Sequence, residues 1–225
     1  MKVLALNIQH AATRRVPLVA MAVLASAPPC IRWAVPSMPR AAGLGDVPVH
    51  RRDRVWPPIE GARIPLDGSA HAQRILEADI AGVTVAAVYF PLGRQHEPFW
   101  DGLFIPYADA LVDRPAILAG DWNTGSQELD IGGGAVPGMT RFERLVAASW
   151  TDAWRSLHPE VREFSWYDRR SGNGFRIDHA LLSPMLAPRL RKAEYVHSTR
   201  TSRATDHSGL LVELSDAGVE PSAGP

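Results

Sequence analysis

The sequence predicts an α/β or α+β fold built from layered sheets. Strand-like and helix-like apolar runs alternate through the middle of the chain, and strand-like runs cluster towards its end. At 225 residues and 24.6 kDa, the chain is long enough for one domain with a full core. Apolar residues make up 46% and charged residues 21% of the sequence, as is usual for a globular protein.

The first element, "KVLALNI", is a short apolar run that predicts a strand buried on both faces. Residues 14–26 predict a helix, with Pro17 tolerated in its first turn. The same stretch imitates an export signal, with a basic pair, a short apolar run and "ASA". We favour the helix and a cytoplasmic protein, because cleavage would remove the first strand. The run is too short for a transmembrane helix, so we expect no stable membrane span.

Residues 28–65 have no period of 2 or 3.6, and they hold eight of the chain's 19 prolines together with six arginines. Because proline cannot donate a backbone hydrogen bond, this stretch is predicted to be irregular. A local frame change in the gene or a divergent insertion would explain it, and we favour the frame change from composition alone. Residues 1–214 are predicted to form a single domain, and the Gly-, Pro- and Ser-rich residues 215–225 a disordered tail.

Regular patterns return after residue 73. "RILEADIAGVTVAAVYF" predicts two strands joined at Ala81–Gly82, and "AILAGD" predicts another buried strand. Helical spacing recurs in residues 97–113, which Pro106 interrupts, and in residues 138–150. "EFSWYD" and "FRIDHALLS" flank an Asn-Gly dipeptide and predict a hairpin. Two last strands are predicted on either side of a polar loop that ends in "TDHS".

Composition narrows the functions to be considered. The formal net charge is zero and the pI is near 7.1, so binding of nucleic acid would need a local basic patch. Only Lys2 and Lys192 are lysines, so nearly all of the positive charge is arginine, the better partner for phosphate. The single cysteine, Cys30, excludes an internal disulfide framework and a cysteine-based zinc site.

Polar side chains stand at the ends of the predicted strands; they are Asn7, Tyr89, Asp121, Asn123, Asp178, Asp206 and His207. Each has an ordinary explanation on its own. Asp121 and Asn123 suit an Asx turn, and Asp178 falls on the strand face opposite its apolar neighbours, as a solvent-exposed residue would. Together, carboxylate and amide oxygens suit a hard cation, and a histidine with a carboxylate partner suits acid–base or electrostatic catalysis. The set therefore predicts metal-assisted phosphoester hydrolysis.

In this order, "LALNIQ", "YFPLG", "GDWNT", "NGFRIDHALLS" and "TDHS" resemble the signature blocks of the endonuclease/exonuclease/phosphatase superfamily. "YFPLG" and "GFRIDHALLS" are most similar to its exonuclease III and apurinic-endonuclease branch. The resemblance covers residues 1–15 and 75–214. It implies a four-layer sandwich, in which two mixed β-sheets pack face to face with helices outside, and a site at one sheet edge.

The resemblance also implies catalytic roles. Asn123 and Tyr89 would contact the scissile phosphate, and Asp121 would orient or deprotonate the attacking water. Asp178 would hydrogen-bond His207 and favour its charged form. His207 would then stabilise the charge that develops on the phosphate or act as the base, and the sequence leaves both roles open.

Asn7 and Asp206 would, on the same resemblance, help to hold Mg²⁺, with Mn²⁺ able to substitute. The family has a further metal-binding glutamate between the first helix and "YFPLG", where this chain has only Glu60 and Glu77. Glu60 follows "VWPPI", which is poor strand material, and Glu77 aligns with the strand just before "VTVAAVYFP". The sequence therefore departs from the family pattern at one metal ligand.

These observations predict a monomeric, Mg²⁺-dependent phosphoesterase that hydrolyses a phosphodiester or phosphomonoester, with nucleic acid as the favoured substrate. Arg169, Arg170 and Arg176 could contact the substrate backbone, and Trp166 and Tyr167 could stack on bases. A solvated hairpin tip with core aromatics explains these five residues equally well. Phospholipids and inositol phosphates are the other substrates considered. The alternative function is that of a catalytically impaired family member or a non-catalytic binding module.

Overall fold

The structure is a computed structural model that describes residues 1–8, 18–24, 31–34, 62–66, 68, 71–126 and 128–216. These residues form twelve strands, in chain order β1 (Lys2–Ile8), β2 (Leu18–Leu24), β3 (Ile31–Ala34), β4 (Ile75–Ile80), β5 (Val83–Tyr89), β6 (Ala116–Asp121), β7 (Thr151–Asp152), β8 (Trp166–Tyr167), β9 (Gly174–Phe175), β10 (Asp178–Leu182), β11 (Leu190–Val196) and β12 (Gly209–Leu214). The α-helices are α1 (His96–Phe99), α2 (Ile105–Asp109), α3 (Met139–Ala148), α4 (Ala153–Leu157) and α5 (Ser198–Thr201). Short 3₁₀ turns lie at Ala72–Arg74, Gly93–Gln95 and Ala187–Arg189.

Ten of the strands form two five-stranded sheets, and β8 and β9 form a separate hairpin. The first sheet has the order β11–β12–β1–β2–β3, and its described pairs are antiparallel. The second sheet has the order β4–β5–β6–β10–β7 and is mixed, because β5 and β6 run parallel. Helices occur between strands of the second sheet, which agrees with the predicted class.

The two sheets pack face to face. Val3 of β1 and Val212 of β12 share one buried apolar cluster with Val85 of β5 and Ile117 of β6. A second cluster fills the space between the other face of the second sheet and helices α1 to α3. The predicted sandwich of two facing sheets is therefore confirmed. The prediction that both sheets are mixed is wrong for the first sheet, whose described pairs are all antiparallel. Of the four predicted layers, the described residues show the two sheets and the helical layer outside the second sheet.

The helix predicted over residues 14–26 is wrong. Leu18–Leu24 instead form β2, which pairs antiparallel with β1 along its whole length. A continuous apolar run of this length carries no period that separates a buried strand from a buried helix. Pairing with β1 supplies the hydrogen bonds that favour the strand, and this long-range contact is invisible in the local pattern.

The irregular stretch predicted over residues 28–65 is also partly wrong. Ile31–Ala34 form β3 beside β2, and Arg63 makes an isolated bridge with Glu77 of β4. Ser215, the first residue of the predicted tail, instead bonds to the fold, because its N–H donates to the Arg189 carbonyl at 2.8 Å. The other residues of 28–65, apart from 62–66, and the tail beyond residue 216 lie outside the described residues.

Pro106 does not end the helical segment predicted around it. A π-helical turn at Trp100–Phe104 joins α1 to α2, and Pro106 lies in the first turn of α2. Proline lacks an N–H and crowds the carbonyl four residues earlier, and the wider π turn accommodates this. No helix within the described ranges has the length and apolar character needed to cross a bilayer.

The hairpin predicted around the Asn-Gly dipeptide is confirmed only as the short pair β8 and β9, because most of "FRIDHALLS" forms β10 in the second sheet. β8 pairs with β9, but the connection is a longer loop closed by Asp168 and Asn173. The left-handed residue in that loop is Gly172 (φ 75°), and Gly174 already belongs to β9.

Candidate active site

Three of the predicted site residues lie in one row across neighbouring strand ends of the second sheet. Tyr89, the last residue of β5, is the register partner of Asp121, the last residue of β6. Asp178, the first residue of β10, is the partner of Asp121 on its other side. Partners in adjacent strands point to the same face, and Ile117 and Ala119 of β6 show that this face looks towards the first sheet. The row therefore lies at the rim between the two sheets.

The end of β6 fixes Asp121 and Asn123 rigidly. Gly120 (φ +148°) allows β6 to approach β5, since a Cβ there would overlap the Val88 carbonyl oxygen. The N–H of Asn123 donates to Asp121 Oδ1 at 3.0 Å, and Asn123 has a left-handed backbone (φ +51°), which asparagine tolerates. Its Nδ2 donates to the Phe90 carbonyl at 2.8 Å. Asp121 and Asn123 thus form the Asx turn considered from the sequence, and that turn holds both side chains at the site.

Asp178 and His207 form a buried pair. Oδ2 of Asp178 lies 2.8 Å from Nδ1 of His207, and only 3% of Asp178 is exposed. The solvent-exposed position considered for Asp178 is therefore wrong, because the segment before β12 covers it. Burial lowers the pKa of His207, but Asp178, with help from Asp121 and Asp206, raises it to about 9. The pair therefore favours the charged imidazolium.

Asp206 has an oxygen that suits a cation. Its Oδ2 accepts a hydrogen bond from Trp166 Nε1 at 3.3 Å. Its Oδ1 is buried without a hydrogen-bond partner and lies 4.0 Å from Nε2 of His207. A buried carboxylate oxygen left without a donor fits a hard cation. The backbone of Asn7 lies in β1, the neighbour of β12, and its side chain lies outside the described part of the chain.

The described residues supply only part of a magnesium site. They contain no group of three or more His, Cys, Asp or Glu side chains arranged to hold a metal. Mg²⁺ usually binds proteins through one or two carboxylates and keeps several waters. Asp206 therefore fits the ion, and water, substrate or side chains outside the described ranges would complete its coordination.

Glu77 does not belong to this site. Its Oε2 accepts a hydrogen bond from the Tyr107 hydroxyl at 2.7 Å, and its Oε1 pairs with Arg63. Tyr107 lies in α2, on the helix side of the second sheet, so Glu77 points away from the inter-sheet rim. Glu60, the other glutamate considered from the sequence, lies outside the described residues.

The prediction that Arg176 binds substrate is wrong. Arg176 is 1% exposed, and its guanidinium bonds to Asp130 (Nε–Oδ1 2.6 Å) and to Asp152 (Nη2–Oδ2 2.7 Å). Two carboxylates distant in sequence occupy this arginine, and the motif around it gives no sign of them. His179 extends the network, with Nδ1 3.2 Å from Asp152 and Nε2 2.8 Å from the Thr124 carbonyl. The network therefore ties the segment after Asn123 to β10.

Arg74 is a residue that the sequence reasoning missed. It ends the 3₁₀ turn before β4, and its guanidinium carbon lies 5.3 Å from the centre of the Tyr89 ring. Its Nε and Nη1 are buried and have no hydrogen-bond partner, and burial lowers its pKa. Burial, followed by the charge of Asp121, raises the pKa of Tyr89, so the phenol stays protonated as a donor. The only sequence signal was a lone arginine directly before an apolar strand.

The other arginines considered from the sequence are at the hairpin tip. Arg169 and Arg170 are exposed there, and Trp166 at the base of the hairpin reaches Asp206. The ring of Tyr167 is stacked by Arg200, whose guanidinium carbon lies 4.6 Å from the ring centre. This surface is polar and accessible, and its contact with substrate stays a prediction.

Comparisons with known proteins agree with this geometry. No protein-family model matches the chain. An exodeoxyribonuclease of Streptococcus pneumoniae is 29% identical over 164 residues, which are 63% of this chain and 58% of that protein. Exodeoxyribonuclease III of Haemophilus influenzae is 30% identical over 186 residues, 67% of this chain and 70% of that protein. The structure of the 3′ phosphatase NExo from Neisseria, bound to a product DNA hairpin, has a TM-score of 0.58 and 25% identity over 64% of this chain and 65% of that chain.

The chain spans little more than half the length of the S. pneumoniae relative. The match to the H. influenzae protein is broader and covers 70% of that protein. The resemblance found in the sequence is therefore confirmed. The chain belongs to the exonuclease III and apurinic-endonuclease branch of the endonuclease/exonuclease/phosphatase superfamily.

Proposed function

We propose that this protein is a Mg²⁺-dependent phosphoesterase that hydrolyses phosphodiester bonds of nucleic acid. The observation that carries the proposal is the buried Asp178–His207 pair beside Asp121 at the rim between the sheets. An imidazolium held by one carboxylate, next to a second carboxylate in another hydrogen-bond environment, supplies the opposite charges that attack on a phosphate needs.

Each side chain has a distinct part in the proposed reaction. Asp121 orients the attacking water and accepts its proton, and His207 stabilises negative charge on the phosphate oxygens. Tyr89 and Asn123 donate hydrogen bonds to the phosphate without adding charge. Mg²⁺ bound through Asp206 would supply Lewis-acid polarisation of the phosphate.

A polymeric substrate explains Arg74 better than a small phosphate ester does. Arg74 precedes β4, so it extends the row of strand ends beyond Tyr89, on the side away from Asp121. Its buried, unpartnered N–H groups suit a second phosphate next to the scissile one. The relatives named exodeoxyribonuclease, and NExo with its DNA hairpin, support nucleic acid as that polymer. By the same analogy, the proposal describes a monomer acting in the cytoplasm.

One hydrolysis panel tests the proposal. It contains a duplex with an abasic site, a duplex with a recessed 3′ end, an inositol phosphate and a small phosphodiester dye. We expect hydrolysis of a DNA substrate that EDTA abolishes and Mg²⁺ restores. Asp121→Ala and His207→Ala should each lower the rate by about 100-fold or more, since each removes a group that acts in the transition state. Rates unchanged in both variants would refute the assigned roles.

A non-catalytic binding module is the second candidate. It is supported by the absence of a three-ligand metal cluster from the described residues and by the engagement of Glu77 elsewhere. Calorimetric titration with Mg²⁺ separates the two functions. The enzyme should give a saturable heat that Asp206→Asn reduces, whereas a binding module that has lost the metal should give none.

A further inference from the structure

Asp178 and His207 are held together although no strand pairing connects them. Asp178 begins β10, whose described partners are β6 and β7 of the second sheet. His207 precedes β12, whose described partners are β1 and β11 of the first sheet. The 2.8 Å contact between their side chains therefore needs a connection from one sheet to the other at the rim.

Ser165 makes this connection. It lies just before β8 and is fully buried. Its Oγ accepts the backbone N–H groups of Ile177 at 3.1 Å and Asp178 at 3.2 Å. Its carbonyl oxygen accepts the N–H of Ser208 at 2.8 Å. One residue thus bonds to the backbone of Asp178 and to that of the residue following His207.

Neighbouring contacts strengthen the same connection. Trp166, the next residue, donates its indole N–H to Asp206 at 3.3 Å. The N–H of Ser165 donates to the Phe175 carbonyl at 3.0 Å, which fixes Ser165 against the base of the hairpin. Tyr195 of β11 donates its hydroxyl to the Asp178 carbonyl at 2.6 Å, a second link from the first sheet.

We propose that Ser165 is a positioning residue that sets the distance between Asp178 and His207 and so aligns the imidazole with the phosphate. This inference rests on the proposed phosphoesterase function. In this proposal Ser165 contacts neither substrate nor metal and acts through the backbone of residues 178 and 208. Without its hydroxyl, two buried N–H groups lose their acceptor, and the start of β10 must shift to satisfy them. A displacement on the order of 1 Å near reacting groups lowers rates by about 100-fold.

The test compares Ser165→Ala with Ser183→Ala. Ser183 is also fully buried, and its Oγ accepts the Ala116 N–H at 3.1 Å at the end of β10 far from the site. Both variants lose a buried hydroxyl acceptor. If the only effect were loss of stability, the two variants would therefore show similar losses of Tm and similar losses of activity. We expect Ser165→Ala to lower kcat on the duplex DNA substrate that the wild type hydrolyses by about 10- to 100-fold, with little change in KM. Ser183→Ala should keep kcat within about twofold of the wild type, because its hydroxyl bonds to Ala116 at the end of β10 opposite Asp178 and shares no partner with the site.

Two further variants keep the test decisive. Ser165→Thr retains a hydroxyl acceptor and should recover most of kcat. If Ser165→Ala does not fold, Ser165→Cys replaces it, because its thiol is a weaker acceptor and should give an intermediate kcat. Equal kcat losses in the variants at positions 165 and 183 would overturn the inference.

Amide hydrogen exchange supplies a measurement that needs no activity. The Ser208 N–H donates to the backbone carbonyl of Ser165 and not to its hydroxyl. Its exchange rate therefore shows whether losing the hydroxyl also loosens the contact between Ser165 and the segment before β12. In Ser165→Ala we expect this amide to exchange about tenfold faster, with no change at Val212 in β12. An unchanged Ser208 amide would overturn the inference. An inactive wild-type chain would overturn the proposed function instead, and exchange would then decide whether Ser165 joins the two sheets.

Discussion

Asp121 and Asp178 stand opposite each other on β6 and β10, yet their carboxylates bind different partners. Asp121 accepts the N–H of Asn123 in a tight turn, whereas Asp178 holds the imidazole of His207. Two acids adjacent in register thus have separate environments, one in a tight turn and one paired with an imidazole. Replacing Asp121 and Asp178 by neutral residues should therefore have different effects, and only the change at Asp178 removes the hydrogen-bond partner of His207 Nδ1.

Asp178→Asn should lower kcat by about 100-fold or more with a small change in KM, because the amide no longer stabilises the imidazolium that acts on the transition state. In the same variant the pKa of His207 should fall from about 9 towards its ordinary value. Steady-state kinetics and NMR titration of the His207 ring protons in EDTA measure the two effects. Asp109→Asn, on the exposed end of α2, is the control and should change neither.

The same pair should make stability depend on pH in a defined window. The folded pKa of His207 lies above the unfolded value of about 6.5, so the pair's contribution is complete below that pH. It is lost as the pH rises through about 9. Urea unfolding of the wild type and Asp178→Asn in EDTA should therefore show a stability difference that is largest near pH 6 and shrinks by pH 10. A constant difference across this range would contradict the charged pair.

Arg176→Met should destabilise the protein rather than weaken substrate binding. The variant leaves Asp130 and Asp152 as buried carboxylates without their main cation, which costs about 3–5 kcal/mol. Urea unfolding measures this loss. Arg170→Met at the exposed hairpin tip should stay within about 0.5 kcal/mol of the wild type. A raised KM with normal stability in Arg176→Met would show that the arginine reaches substrate after all.

The sequence located the strand ends of the site because buried strands leave a strong local pattern. Asp121 and Asp178 follow from "AILAGD" and "RIDHALLS", and their register pairing agrees with the predicted convergence. Burial by distant segments leaves no such pattern. It hides Arg176 between two carboxylates and covers Asp178, which alternation alone assigns to solvent.

The same limit explains the misassigned β2. An apolar run of seven residues fits a helix or a strand equally well until its partner is known, and β1 is that partner. Arg74 and Ser165 were missed for a related reason. The roles proposed for them rest on the groups that they contact across the fold, and neither belongs to a recognisable motif.

Arg74→Met should discriminate between substrates by length. If Arg74 binds a phosphate next to the scissile one, the variant should lower kcat/KM on an oligonucleotide by about tenfold or more, the usual cost of losing a charge-assisted bond. Hydrolysis of a small phosphodiester dye, which has no second phosphate, should change little. Arg144→Met on the exposed face of α3 is the matched control for loss of positive charge. If Arg74→Met lowered kcat/KM equally on the oligonucleotide and on the dye, Arg74 would give no support for a polymeric substrate.

Gly120→Ala should damage both stability and activity, because this glycine brings β6 against β5 directly before Asp121. A Cβ at this position would overlap the Val88 carbonyl oxygen, and the backbone has φ +148°, which a residue with a Cβ rarely adopts. The strand must move away to relieve the overlap, at a cost of about 1–3 kcal/mol, and Asp121 moves with it.

Gly102→Ala is the control for that substitution, since a Cβ there meets no atom within 4 Å and the helical backbone accepts it. It should leave Tm and kcat close to those of the wild type. Thermal unfolding and dye hydrolysis, measured on both variants, separate the effects. A Gly120→Ala protein with normal kcat would mean that Asp121 does not depend on the tight contact between β5 and β6, and the rigid placement argued for this carboxylate would be wrong.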